Sequence, residues 1–318
     1  MTNLEVEKKI KIIFMGTPDF AVPALTALHN NKYDVALVVT QPDRPKGRGR
    51  KLAFPPVKKT AVHLGYDVIQ PISIKTDEFA NHVIRLKPDI FVVSAFGHIL
   101  PKRILDVPKI GALNIHASLL PKYRGAAPIQ WAIINSEKET GVTAMLMDEG
   151  LDTGDILFTS KIQISPDDTS AALHDRLSDL GADLLIKTLK AIEADNINPI
   201  PQDHTMATYA PMLKKKDGHI NWGMAADKLE SFIRGMTPWP GAFTFCKNTR
   251  LKIFNSTPII TPVDKAPGTV LKGFPDELRI AAGKGALSIL EIQGESGKRL
   301  LIKDFLRGFK LPVGTVLN

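Results

Sequence analysis

Short apolar runs recur along the first half of the chain: KIIFMG at 11–16, DVALVVT at 34–40, YDVI at 66–69, DIFVVSAF at 89–96, ALNIH at 112–116 and GVTAMLMD at 141–148. TPDFAVPALTALHNN, between the first two, has helical spacing and makes a βαβ unit, and helical segments separate most of the others. Runs this continuous, alternating with helices, predict an α/β domain on a mostly parallel sheet covered on both faces. A longer helix is predicted over 169–194, with an N-cap at Asp168 or Thr169 and an apolar stripe toward the core.

After that helix the periodicity disappears. Residues 196–217 mix Pro, Asn and Lys and read as a linker. Beyond it one helix, AADKLESFIRGM, precedes GAFTFC, RLKIFNST, GTVLK, ELRIAA and ALSILEIQ, short β-rich runs at close spacing that suggest a small barrel. The expected organisation is a domain over 1–195, a linker over 196–217 and a second domain over 218–318. A chain of 318 residues accommodates two cores, since single cores stop growing near ~250 residues.

Composition narrows the setting. With 44% hydrophobic and 23% charged residues the chain is globular rather than disordered. Its single cysteine, Cys246, forms neither an internal disulfide nor a Cys-x-x-Cys site. The N-terminus lacks a signal-peptide pattern and no run of about 18 apolar residues occurs, so the expectation is a soluble cytoplasmic protein with no membrane partner. The net charge of +8 favours a polyanionic partner. Residues 41–59 concentrate it, with seven basic side chains, Arg44, Lys46, Arg48, Arg50 and Lys51 among them, against one acid, Asp43. This segment follows the second apolar run and so leaves the sheet on the rim where strand ends bind ligands. Its basic groups are placed there to neutralise phosphates, although such runs also occur as plain solvated loops.

Candidate chemistry centres on ALNIH. Asn114 and His116 are two apart on a strand and share a face, at the carboxyl end that opens on the ligand crevice of parallel sheets. An Asn amide donates to a developing oxyanion, and a His donates when protonated or accepts a proton when neutral; the alternative is a pair satisfied by loop backbone. The following SLLPKYRGAAPIQ forms a compact turn able to wall a pocket, and KYRG adds charge nearby. MDEGLDTGDI, an acidic Gly-rich connection between two strands, offers Asp152, between two glycines, as a carboxylate for His116. Metal binding is disfavoured because the spacing fits no EF-hand and no His or Cys pair accompanies it. MGTPDFA has only Gly16 of the G-x-G-x-x-G dinucleotide pattern and reads as a tight strand-to-helix turn.

FMGTPDFAVPAL, TQPDRPKGRGRKL, NIHASLLPKYRGAAPIQWAI and GLDTGDIL, with WPGAFT at 239–244, together resemble the methionyl-tRNA formyltransferase family over nearly the whole chain. The resemblance implies a Rossmann-like catalytic domain followed by a tRNA-binding, OB-like barrel, in a monomer. It implies transfer of a formyl group from 10-formyltetrahydrofolate, without a metal, to the α-amine of initiator methionyl-tRNA for translation initiation. Asn114 and His116 would stabilise the tetrahedral oxyanion, and Asp152 would keep His116 oriented and charged and help remove the amine proton. Folate would contact Phe96, Gly97, Ile99, Leu100, Ser118, Leu119, Leu120 and Pro121. Arg44, Lys46, Arg48, Arg50 and Lys51 would meet the tRNA acceptor stem, Arg48 matching the family's main loop arginine. His98 departs from the family's usual neutral side chain. Two competing readings are a folate-dependent formyltransferase acting on a small amine and a non-catalytic RNA-binding protein.

Overall fold

The computed structural model describes residues 10–46, 51–295 and 297–318. They form two compact units. The first takes in the described residues of Met1–Gly125, Thr140–Ile162 and His174–Tyr209, and the second those of Ala126–Glu139, Gln163–Leu173 and Ala210–Asn318.

In chain order the elements are β1 (Lys11–Gly16), α1 (Val22–Asn30), β2 (Asp34–Val39), β3 (Arg44–Lys46), β4 (Lys51–Ala53), α2 (Pro56–His63), β5 (Val68–Ile69), α3 (Asp77–Leu86), β6 (Ile90–Ser94), α4 (Lys102–Leu105), β7 (Gly111–His116), α5 (Pro128–Ile134), β8 (Glu139–Leu146), β9 (Ile156–Gln163) and α6 (Ser170–Glu193). α7 (Ala226–Met236), β10 (Ala242–Cys246), β11 (Thr249–Ile259), β12 (Val270–Leu271), β13 (Leu278–Ala281), β14 (Ala286–Gln293), β15 (Leu300–Leu301) and α8 (Ile302–Gly308) follow.

The sheet of the first unit has the order β5-β2-β1-β6-β7-β8-β9. β5, β2, β1, β6 and β7 are parallel, while β8 runs antiparallel to β7. Strands covered on both faces have no polar side to show, which is why IFVVS in β6 is buried at every position. The order reverses between β1 and β6, and ligands of open α/β sheets bind outside the strand ends at such a point. Gly16 closes β1 there because an added Cβ would lie 2.8 Å from the Ala21 Cβ and 3.0 Å from the Ser94 carbonyl oxygen.

One face of this sheet carries a core of Ile13, Met15, Leu37, Val39, Phe91, Val93 and Ala112, packed under Phe79, Val83, Phe96, Leu100 and Ile104. α3 is positioned for this by its N-cap, the Thr76 hydroxyl accepting from Phe79 N–H at 3.3 Å, and by Asp77 and Glu78 in its first turn. Each Val, Leu, Ile, Met or Phe side chain so buried contributes roughly 1.5–3 kcal/mol.

The second unit holds an antiparallel sheet ordered β10-β11-β14-β13-β12, with β15 added beside β14. Register shifts on either side of Asn255 in β11 bend the long strand and curl the sheet into the OB-like shape expected of the C-terminal part. Its core gathers Leu229 and Ile233 of α7 with Leu251, Ile253, Leu278, Ile280, Leu287 and Ile289. Trp222 is buried with its indole N–H donating to the Thr244 hydroxyl at 3.0 Å. Among the described residues no helix is long and apolar enough to cross a membrane.

Candidate active site

β7 supplies the first two groups. Val93 of β6 pairs with Asn114, and His116 lies opposite Thr143 of β8. Ala112 belongs to the core face, so Asn114 and His116, at two-residue steps beyond it, prolong that face past the apolar layer. Both are buried, at 8% and 7% exposure. Among the described residues the Asn114 side-chain amide forms no hydrogen bond, and it is not one of the fully enclosed unpaired groups, so its polar end is open at the strand terminus.

His116 is held from two sides. Its Nε2 donates to the Tyr123 carbonyl at 3.0 Å, and its Nδ1 faces Asp152 Oδ2 at 3.6 Å. The Tyr123 carbonyl calls for a hydrogen on Nε2, and the Asp152 carboxylate stands at ion-pair distance from Nδ1. Asp152 sits in the β8–β9 connection at φ 53°, in the left-handed region, and its Oδ2 accepts from Gly125 N–H at 2.8 Å. The acidic loop therefore does deliver Asp152 to His116. Asp148 instead organises the loop, accepting from Gly150 N–H at 3.0 Å and from the Thr153 hydroxyl at 2.5 Å. No group of three or more His, Cys, Asp or Glu is arranged to hold a metal among the described residues.

The loop after β6 lies at the reversal point of the sheet. The Thr17 hydroxyl and the Gln41 amide both donate to the Phe96 carbonyl at 3.1 Å, tying it to the ends of β1 and β2. Phe96 and Leu100 are buried at 2%, while Ile99 is 69% exposed and Gly97 turns at φ 81°. His98 packs edge-on to Phe96 with ring centroids 5.2 Å apart. Burial, and then the positive charge of Arg44, lower its pKa from the ordinary 6.5. In the loop after β7, Leu119 and Pro121 are partly exposed, but Ser118 and Leu120 are buried and internally bonded. The Ser118 hydroxyl donates to the Lys122 carbonyl at 2.7 Å, and Leu120 N–H donates to the Thr143 hydroxyl at 3.1 Å, so these two shape the loop from behind.

Arg44 and Lys46 lie on β3 and Lys51 on β4, a two-stranded hairpin in which Lys46 pairs with Lys51. Arg48 and Arg50 fall outside the described residues. Asp43 anchors the base of the hairpin: its carboxylate meets Lys58 at 2.7 Å and accepts from the Gln70 amide at 2.8 Å. Those two hydrogen bonds, Lys58 first, lower its pKa from the ordinary value. Lys58 is thereby engaged within the fold.

The reading of Arg124 as extra charge beside the pocket is corrected. Arg124 is 2% exposed, and its guanidinium donates to Gln202 Oε1 at 2.7 and 3.2 Å and to His204 Nδ1 at 3.2 Å. The sequence reading gave Gln202 no role, because it lies in an aperiodic segment where nothing marks a buried amide. Gln202 Nε2 donates to the carbonyls of Asp152 at 2.9 Å and Gly154 at 2.7 Å.

A strand-end Asn and His with an Asp carried in by the next hairpin, beside a loop at the sheet reversal, form a compact polar constellation. Comparison with known proteins identifies the family. The formyl transferase family model matches residues 8–189 and the formyl transferase C-terminal domain model matches residues 212–310. The methionyl-tRNA formyltransferase of Desulfotalea psychrophila is 51% identical over 98% of this chain and 97% of its own length. That of Acetivibrio thermocellus is 48% identical over 97% of this chain and all of its own. The chain belongs to the methionyl-tRNA formyltransferase family. Its fold is shared with an N-formyltransferase from Helicobacter canadensis, solved with folinic acid and dTDP-3-aminofucose, at TM-score 0.68, 22% identity and coverage of 92% of this chain and 100% of that one. HypX from Aquifex aeolicus, solved with tetrahydrofolic acid, matches at TM-score 0.61 and 16% identity over 97% of this chain and 51% of that one. For a formyltransferase of this family the polar groups at the end of β7 are the ones to explain.

Proposed function

We propose that the chain transfers the formyl group of 10-formyltetrahydrofolate to the free α-amine of initiator methionyl-tRNA, in the cytoplasm, and that Asn114, His116 and Asp152 carry the reaction. The observation that carries the catalytic assignment is the unpartnered amide of Asn114, open at the end of a mostly buried residue, two residues from a His whose ring nitrogens both face oxygen acceptors. 10-Formyltetrahydrofolate supplies an electrophilic formyl carbon on a nitrogen leaving group. The attacking α-amine, with an ordinary pKa of about 7.7–8.0, is partly neutral without assistance. As the amine adds, charge grows on the formyl oxygen. The Asn114 amide donates to it and His116, which Asp152 is assigned to keep charged, provides positive charge beside it. Asp152 holds that ring and that charge in place and assists removal of the proton the amine loses; collapse of the adduct then breaks the bond between the formyl carbon and N10, which takes up a proton and leaves as tetrahydrofolate.

The loops that flank these groups suit a flat heterocycle. Exposed Ile99 offers an uncovered apolar surface next to buried Phe96 and Leu100, and Gly97 lets the Gln41 amide pack against the loop backbone, where an added Cβ would lie 2.5 Å from Gln41 Nε2. Leu119 and Pro121 complete the assigned contact set at the surface, with Ser118 and Leu120 fixing their backbone. Arg44, Lys46 and Lys51 on the hairpin, with Arg48 and Arg50, are assigned to the acceptor-stem phosphates. The OB-like unit is assigned to the same RNA; it presents Arg250 over Phe243 at 3.7 Å and Arg299 over Phe254 at 4.7 Å from the ring centroids.

The test is formyl transfer from labelled 10-formyltetrahydrofolate in parallel reactions with methionyl-tRNA and with free methionine. Label on the charged tRNA alone supports the assignment. Label on free methionine at an equal rate, or on neither acceptor, overturns it.

A further inference from the structure

Asp152 is the one proposed catalytic group that lies outside the sheet, and its backbone is unfavourable. A non-glycine residue in the left-handed region costs roughly 1–2 kcal/mol, so the conformation at φ 53° persists only if its surroundings hold it. The holding group is Gln202. Its amide is 6% exposed and fully used: both Nε2 hydrogens go to the carbonyls of Asp152 and Gly154, at 2.9 and 2.7 Å, which bracket the turn. Oε1 accepts from Arg124 Nη2 at 2.7 Å and Nε at 3.2 Å. Arg124 precedes Gly125, whose N–H donates to Asp152 Oδ2 at 2.8 Å. Arg124 is further pinned by its N–H to the Thr208 carbonyl at 2.8 Å, and Tyr123, whose carbonyl receives His116, by its N–H to the Thr208 hydroxyl at 2.9 Å.

We propose that Gln202, clamped by Arg124, is a positioning residue that sets the Asp152 carboxylate against His116. It touches neither substrate nor reacting atoms. It locks the Asp152 backbone directly and the loop bearing the Gly125 N–H through the guanidinium. Because a misplacement of about 1 Å costs on the order of 10²-fold in rate, loss of the two amide donors lowers kcat while leaving substrate contacts alone.

The inference rests on the assignment of Asp152 to catalysis, and the experiment separates the two. Gln202→Met keeps the length of the side chain and removes its donors and acceptor. Gln202→Glu keeps the acceptor for Arg124 and replaces the donors with an oxygen. Both are expected to lower kcat about 10–100-fold with KM for 10-formyltetrahydrofolate and methionyl-tRNA within about twofold. In an Asp152→Ala background Gln202→Met is expected to cost less than about twofold further, since residues acting as one unit are not additive. The backbone amide resonance of Gly125, which reports the hydrogen bond to Asp152 without any turnover, is expected to move in both Gln202 variants. Wild-type kcat in Gln202→Met, an unmoved Gly125 resonance in the folded Gln202→Glu variant, or an undiminished cost in the Asp152→Ala background overturns the positioning role. Wild-type activity of Asp152→Ala itself overturns the catalytic assignment instead.

Discussion

Asp152→Asn keeps the size of the side chain and one oxygen for the Gly125 N–H, while removing the charge that faces His116. Asp152 Oδ2 stands 3.6 Å from His116 Nδ1, and the two side chains are only 14% and 7% exposed. Loss of one preorganised group supporting the charge that develops on a reacting oxygen typically costs about 10²–10³-fold, and a fall in kcat of that size is expected here. KM for both substrates is expected to hold, because the carboxylate faces the His and the loop rather than the assigned folate or tRNA contacts. Steady-state formyl transfer with each substrate varied in turn gives both constants, and thermal unfolding checks that the loop and fold survive. A folded Asp152→Asn variant with kcat within about threefold of wild type refutes the electrostatic role.

Two further substitutions probe the surroundings. Gly141→Ala in β8 places a methyl group against the Ser160 carbonyl and 2.6 Å from Leu119 Cδ2, so it is expected to destabilise the chain by about 1–3 kcal/mol in denaturant titrations; Gly308→Ala, with no atom within 4 Å, serves as the neutral control. His98 titrates below 6.5 because burial, and secondarily Arg44, disfavour its charged form. Its contribution to stability is therefore full above 6.5 and lost as the pH falls through the lowered folded-state value. Side-chain NMR is expected to show Arg44→Ala moving that midpoint only part of the way back up, since burial is the larger cause.

Backbone-level features were legible because they follow from local pattern. The apolar run Ile90–Val93 in β6 suits a strand covered on both faces, and the two-residue step from Asn114 to His116 places both on one face of the strand. Asp152 was legible from its position between glycines in an acidic loop and from the family resemblance, but its contact with His116 depends on a left-handed backbone that sequence pattern does not reveal. The antiparallel β8 is equally invisible, since GVTAMLMD reads as a buried run in either direction. Arg124 was misread because charge in a loop is ordinarily solvated; its burial depends on Gln202, 78 residues away along the chain. Gln202 itself sits among Pro and Asp without periodicity, and its two carbonyl partners are backbone groups with no signature in side-chain identity.

The central claim is that β7 delivers an oxyanion donor, and Asn114→Ala tests it most directly. The amide has no partner among the described residues, so its removal orphans no group in the fold, and the melting temperature is expected to stay within about 2 °C of wild type. Single-turnover transfer of formyl to methionyl-tRNA, with both substrates saturating, is expected to slow about 10²–10³-fold. A folded variant that transfers formyl at the wild-type rate would contradict the account.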